Sequence, residues 1–271
     1  MKTYPSRDRS HARRPQRLRL AVAALALAAA LRPAVGAEAT VAVAANFLEP
    51  CQTLETLFAA RTNHSLRLSS GSTGQLYAQI VHGAPYDVLL AADRRRPRLL
   101  EAQGLAQRGS RFTYAVGALV LWSADPHAIR GSGPDVLARG HFRHLAIANP
   151  QLAPYGLAAQ QTLEALGVWK RLLPKLVRGQ NIAQTFQFVV SGSAELGLVA
   201  RSQVVSPLNP VAGSRWDVPA SLHQPIRQDA VLLAHGEDNP AASAFLRFLR
   251  SPEATRLIRS FGYTTPGNGE P

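Results

Sequence analysis

One cysteine, Cys51, stands in a chain of 271 residues. An intramolecular disulfide is therefore excluded, and the fold must rest on packing. Lysine is almost as scarce: only Lys2, Lys170 and Lys175 occur, so the basic side chains are nearly all arginine. Past residue 37 there is no run of 18 apolar residues, and no membrane-spanning helix is expected there. The motifs of nucleotide and acyl chemistry are missing too: no G-x-x-x-x-G-K-[ST], no G-x-G-x-x-G and no G-x-S-x-G. His141 and His144 have no acidic or thiol neighbour to complete a zinc set and read as surface histidines. Neither a protein-held metal nor a cofactor is expected. Trp122, Trp169 and Trp216 are too dispersed for a base-stacking platform.

What is present begins with a leader pattern. A basic stretch holding Lys2, Arg7, Arg9, Arg13, Arg14, Arg17 and Arg19 runs into the apolar segment LAVAALALAAAL at 20–31, followed by Ala34-Val35-Gly36-Ala37. Basic, then apolar, then small residues is the order of a secretory signal peptide, expected to be cut after Ala37. The predicted location is the periplasm. Residues 1–37 hold eight Lys or Arg against the single acid Asp8, so the rest of the chain keeps +6 of the formal +13. That is too little to argue for nucleic acid as a partner. The one dense run, Arg94-Arg95-Arg96 with Arg98, reads as the solvated start of a helix.

After the leader, short apolar strands alternate with helices. Strands are expected at Thr40–Ala45, His64–Ser69 and Asp87–Ala92, and helices at Thr53–Arg61, Gln75–His82 and Arg96–Gln103. Tyr114–Ser123 (YAVGALVLWS) reads as one long strand. His144–Asn149 and Leu196–Ala200 follow as strands, with helices at Leu157–Leu166 and Asn181–Val190. Asp229–Ala234 is a further strand before a helical finish at Ala241–Arg250 and Pro252–Phe261. The β-α alternation predicts an α/β fold with mostly parallel sheets covered by helices on both faces. Two lobes fit best, with long strands near 114–123 and 226–234 crossing between them around a ligand cleft. Residues 38–118 with 227–271 are assigned to one lobe and 119–226 to the other.

Three small-residue turns join a strand to a helix: Ala44-Ala45-Asn46-Phe47, Ser69 to Gly74 (SSGSTG), and Ala153-Pro154-Tyr155-Gly156. A fourth helix starts at Asn181-Ile182. In a parallel lobe such turns lie at the carboxyl edge of the sheet, where ligands bind. Helix N-termini present unpaired N–H groups and partial positive charge, so several aimed at one point form an anion site. The Thr73 and Ser72 hydroxyls can add donors. Taken singly, each of these residues is more simply a cap, a turn former or a buried aromatic. The set is the signal. Asp87 and Asp93 flank a strand and leave open a secreted enzyme using acid–base chemistry, although turn and cap carboxylates are the simpler reading.

Long ordered stretches carry a family resemblance: AANF at 44–47, SSGSTGQLYAQIVHGAPYDV at 69–88, SRFTYAVGALVLWS at 110–123, IANPQLAPYGLA at 147–158 and SGSAELGLVA at 191–200. Over 39–264 the chain resembles the molybdate- and tungstate-binding periplasmic receptors of ABC importers. The resemblance implies two α/β lobes with a dehydrated oxyanion between them, no catalysis, a monomer, and the importer's membrane subunits as partner. It places the anion contacts on Ala45, Asn46, Thr73, Tyr155 and Ile182, the last through its main-chain N–H. Ala45 stands where relatives carry Ser or Thr, and Ala200 where some supply a tyrosine hydroxyl. The same fold tuned to sulfate, phosphate or an organic anion is the alternative.

Overall fold

The structure is a computed structural model and describes residues 1–4, 36–209 and 211–266. Most of the expected signal peptide lies outside the described residues. The described residues from Ala37 onward form one compact unit.

The first lobe opens with β1 (Glu38–Ala44), a 3-10 turn at Ala45–Phe47, and α1 (Leu48–Thr62). It continues through β2 (Ser65–Gly71), α2 (Thr73–Val81), β3 (Val88–Leu90), α3 (Arg95–Ala102) and β4 (Phe112–Gly117). The second lobe contains β5 (Leu119–Ser123), α4 (Gly133–Arg139), β6 (Leu145–Ala148), α5 (Pro154–Ala165), α6 (Trp169–Leu172) and β7 (Leu176–Gly179). There follow α7 (Ile182–Val190), β8 (Leu196–Ala200), α8 (Arg201–Val204) and β9 (Ser214–Asp217). The chain then returns through β10 (Ile226–Leu232) and closes with α9 (Pro240–Leu249) and α10 (Pro252–Ser260).

Two five-stranded sheets result, in the orders β2-β1-β3-β10-β4 and β7-β6-β8-β5-β9. Each is parallel except for one strand: β10 runs antiparallel to β3 and β4, and β5 antiparallel to β8 and β9. The exceptions share a cause. Each is the strand that arrives from the other lobe, so it enters at the cleft edge where the parallel strands end. The sheets are covered on both faces, and the period-2 pleat divides their side chains between two cores. Val41 and Val43 of β1 pack with Phe47, Phe58 and Phe245, whereas Ala42 between them packs with Leu76, Ile80 and Leu100. In the second lobe Leu119 and Leu121 join one core while Val120 and Trp122 join the other, where Trp122 stacks on Phe186 at 4.9 Å.

Several expected elements change. The single long strand at 114–123 is two, β4 and β5, in different sheets and interrupted at Ala118. The second crossing is not a strand either: β10 lies wholly in the first sheet, and residues 218–225 make the passage. The first helix begins at Leu48 rather than Thr53, with Pro50 in its first turn, where a missing N–H costs no helical bond. The strands β7 and β9 were not expected. Both are edges of the second sheet, and edge strands such as SRWD can be polar and short without harm to the core.

Candidate functional site

At the cleft edge of both sheets a small cavity is lined by residues from five strand-to-helix turns. The first lobe contributes Ala44, Ala45, Asn46, Gly71, Ser72, Thr73 and Ala92; the second contributes Ala153, Pro154, Tyr155, Asn181 and Ile182. All five residues singled out in the sequence, Ala45, Asn46, Thr73, Tyr155 and Ile182, therefore line one space. Among the described residues, none that lines it carries a charge.

Local chemistry decides what each turn can offer. Thr73 and Ile182 are the first residues of α2 and α7, and Tyr155 is the second of α5, so their N–H groups have no carbonyl one turn earlier to bond. Pro154 starts α5 with the backbone angle a helix requires and no N–H to strand. Ser72 is spent on its own cap. Its hydroxyl accepts from Gln75 N–H at 3.3 Å and donates to Gln75 Oε1 at 2.9 Å, while its N–H meets Gln75 Oε1 at 3.2 Å. Ser72 therefore has no hydroxyl proton to spare. Thr73 differs. Its hydroxyl oxygen accepts the Ala92 N–H at 3.0 Å, which leaves the hydroxyl hydrogen available to a ligand. Asn181 is likewise a cap, its side chain accepting from Gln184 N–H at 2.9 Å.

Beneath the cavity lies a buried polar chain that the sequence reading did not find. The Tyr263 hydroxyl donates to the Asn46 carbonyl at 2.7 Å, so its oxygen can accept from Asn46 Nδ2 at 3.0 Å. The second Asn46 amide hydrogen goes to Gln228 Oε1 at 2.8 Å, and Gln228 Nε2 donates to the Tyr155 hydroxyl at 3.3 Å. Tyr114 meets the same Gln228 oxygen at 3.1 Å, and Ser202 Oγ lies 2.9 Å from the Tyr263 hydroxyl. Both Asn46 amide hydrogens are thus consumed by the interior, and the donor that remains for an anion is its backbone N–H. Phe47 fixes the same turn by edge-on contacts with Tyr114 at 4.7 Å and Tyr263 at 5.5 Å. Burial raises the Tyr114 and Tyr155 hydroxyls well above the ordinary phenol range and pushes Tyr263 up to about 12, so all three remain protonated donors at neutral pH. The one clue in the sequence was Gln228 itself, a polar residue entering the apolar run DAVLLA.

The lobes touch around the cavity. Gly74 N–H donates to the Leu152 carbonyl at 2.8 Å, Arg96 donates to the Gln151 carbonyl at 3.0 Å, and Ser206 bonds Glu49. Asp87 and Asp93, the candidates for acid–base chemistry, have structural tasks. Asp87 accepts from Thr40 N–H at 2.6 Å and pairs with His235 Nδ1 at 2.8 Å. Asp93 accepts from Arg96 N–H at 2.8 Å and pairs with its guanidinium. Neither lines the cavity.

Residues 39–264 match the family described as bacterial extracellular solute-binding protein. A molybdate-binding protein ModA of Rhodobacter capsulatus is 47% identical over 93% of this chain and 98% of its own length. That of Azotobacter vinelandii is 51% identical over 85% of this chain and 91% of its own. Among solved structures, the Azotobacter vinelandii periplasmic molybdate-binding protein superposes with a TM-score of 0.81 at 42% identity, covering 84% of this chain and all of that one.

Proposed function

The chain belongs to the bacterial extracellular solute-binding protein family, and from that premise we propose that it is a periplasmic receptor that captures molybdate or tungstate between its lobes for an ABC importer. The observation that carries the reading is the uncharged cavity ringed by first-turn N–H groups and the free Thr73 hydroxyl proton. A tetrahedral dianion suits such a ring. Its charge spreads over several hydrogen bonds, each contributing about 1.5–3 kcal/mol when one partner is charged, and together these offset a large desolvation cost. The ring offers donors, and a protonated phosphate needs an acceptor for its own proton, so the fully ionised oxyanion is favoured. In this reading the contacts are Ala45, Asn46, Thr73, Tyr155 and Ile182, with Asn46 and Ile182 acting through main chain. Residues 1–37 serve as the leader removed on export, the mature chain starts near Glu38 and works as a monomer, and the closing hinge lies at 118 and 218–225.

Titration calorimetry with molybdate, tungstate, sulfate and phosphate in parallel tests this. Molybdate and tungstate should bind, with sulfate and phosphate far weaker. Equal binding of all four would leave a generic oxyanion receptor, and binding of none would overturn the reading.

A further inference from the structure

Two open grooves flank the cavity, and they differ in charge. One shares Ala92 and Pro154 with the cavity and is lined by Arg94, Arg95, Arg96 and Arg227, with Asp93 as the one acid among its described lining residues. The other shares Ala45 and Asn46, and among the described residues its only charged lining residue is Glu49. A dianion approaching the first meets four guanidinium groups against one carboxylate, which Arg96 already pairs; one approaching the second meets a carboxylate alone.

The four arginines are unequally committed. Arg96 pairs with Asp93 at 2.5 Å and reaches across the cleft to the Gln151 carbonyl. Arg94 lies 3.7 Å from Asp229, a buried carboxylate that Arg111 already holds at 2.6 Å. Arg95 and Arg227 have no acidic partner among the described residues, and Arg227 is half-buried on the hinge side of the groove. A solvated arginine needs no partner, and this chain is rich in arginine. Composition alone, however, does not account for the concentration of cations on one side of the cleft and their absence from the other.

The cavity has no charge of its own to draw an ion from dilute solution. Helix-terminal dipoles act only within about a turn, whereas full charges act over a Debye length of about 8–10 Å at ordinary salt. Charged clefts of this kind raise association rates by roughly 10–10³. Guanidinium is weakly hydrated and suits brief contact with an oxyanion still carrying part of its water. We propose that the arginine groove is the entry vestibule of the receptor: a weak anion site, centred on Arg95 and Arg227, that holds the hydrated oxyanion before it passes Ala92 and Pro154 into the cavity. The proposal rests on the oxyanion-receptor reading.

Stopped-flow association with molybdate, followed by intrinsic fluorescence across a range of ionic strength, tests it. The double variant Arg95→Gln/Arg227→Gln should associate about fivefold more slowly at low salt, with dissociation nearly unchanged and a flatter dependence on salt. The comparison is Arg256→Gln, which removes a charge from an exposed position on α10 and should leave the rate near wild type. Unchanged rates and salt slope in the double variant, with equilibrium binding retained, would overturn the vestibule and leave the receptor standing. An equal slowing in Arg256→Gln would also overturn it, because net charge alone would then explain the effect. Absence of molybdate binding by the wild-type protein in calorimetry would overturn the receptor reading and the vestibule with it.

Discussion

Gly74 donates its N–H to the Leu152 carbonyl across the cleft at 2.8 Å, and a Cβ built on Gly74 would stand only 2.8 Å from the same oxygen and 3.0 Å from Leu152 Cα. Both obstacles are backbone, so they cannot swing aside. Gly74→Ala should therefore impede closure without harming either lobe. Overpacking of this kind costs about 1–3 kcal/mol, so molybdate affinity should fall about 5- to 100-fold. The ligand-free protein can relieve the clash by opening, and its Tm should stay near wild type. Calorimetry and a thermal melt of the same variant check both parts. A lower ligand-free Tm with unchanged affinity would make Gly74 a folding residue instead.

Thr73→Val keeps the shape of the first residue of α2 and removes its hydroxyl. The variant loses the proton available to the anion and also the acceptor for the Ala92 N–H. A hydrogen bond to a charged ligand contributes about 1.5–3 kcal/mol, so Kd should rise roughly ten- to a hundredfold. Thr73→Ser should restore most of the affinity. The pair is read by parallel titrations; binding by Thr73→Val equal to wild type would mean that the hydroxyl does not meet the ligand.

Gln228→Leu removes the carboxamide that joins Asn46, Tyr114 and Tyr155. Each buried polar group left without a partner costs about 1–3 kcal/mol, and each kcal/mol lowers Tm by about 2–4 °C in a protein of this size. A fall in Tm of roughly 5–10 °C is expected in the ligand-free protein. Gln228→Glu keeps the shape and the oxygen that accepts from Asn46 and Tyr114 but loses the Nε2 donor to Tyr155, and should lose less only at a pH low enough to protonate the new buried carboxyl. Differential scanning calorimetry distinguishes the two.

Alkaline pH should destabilise the folded chain through Tyr263, which is buried in the first lobe's core. The Tyr263 hydroxyl is raised from 10.0 to about 12, first by burial. Between these values the unfolded chain ionises while the folded one holds its proton, so stability is full below pH 10 and declines as pH climbs toward 12. Tyr263→Phe removes that titration and should flatten the decline, although it is less stable at neutral pH because Asn46 loses a partner. Denaturant midpoints measured from pH 8 to 11.5 give the two slopes.

The sequence alone carried the α/β alternation, because apolar runs and helix caps are local signals, and it carried four of the five turns that line the cavity, all but the one at Ala92. Small residues between a strand and a helix are legible in one dimension, as at Ala45-Asn46 and Thr73-Gly74. The edge strands β7 and β9 were hidden because little apolar area depends on them. The break at Ala118 was hidden because YAVGALVLWS is apolar on both sides of it, and only the membership of β4 and β5 in separate sheets shows the chain changing lobes. Tertiary structure also decided which donors are free. Ser72 and Thr73 are adjacent hydroxyls that look equivalent in sequence. One is consumed by Gln75, three residues away, and the other by Ala92, which takes up only its acceptor side. The chain from Tyr263 through Asn46 and Gln228 to Tyr155 spans both lobes and more than two hundred residues of sequence, and no local pattern encodes it. The arginines at 94–96 looked like a solvated helix start. Their position beside Arg227, on one side of an uncharged cavity, exists only once β10 has come back to the first lobe.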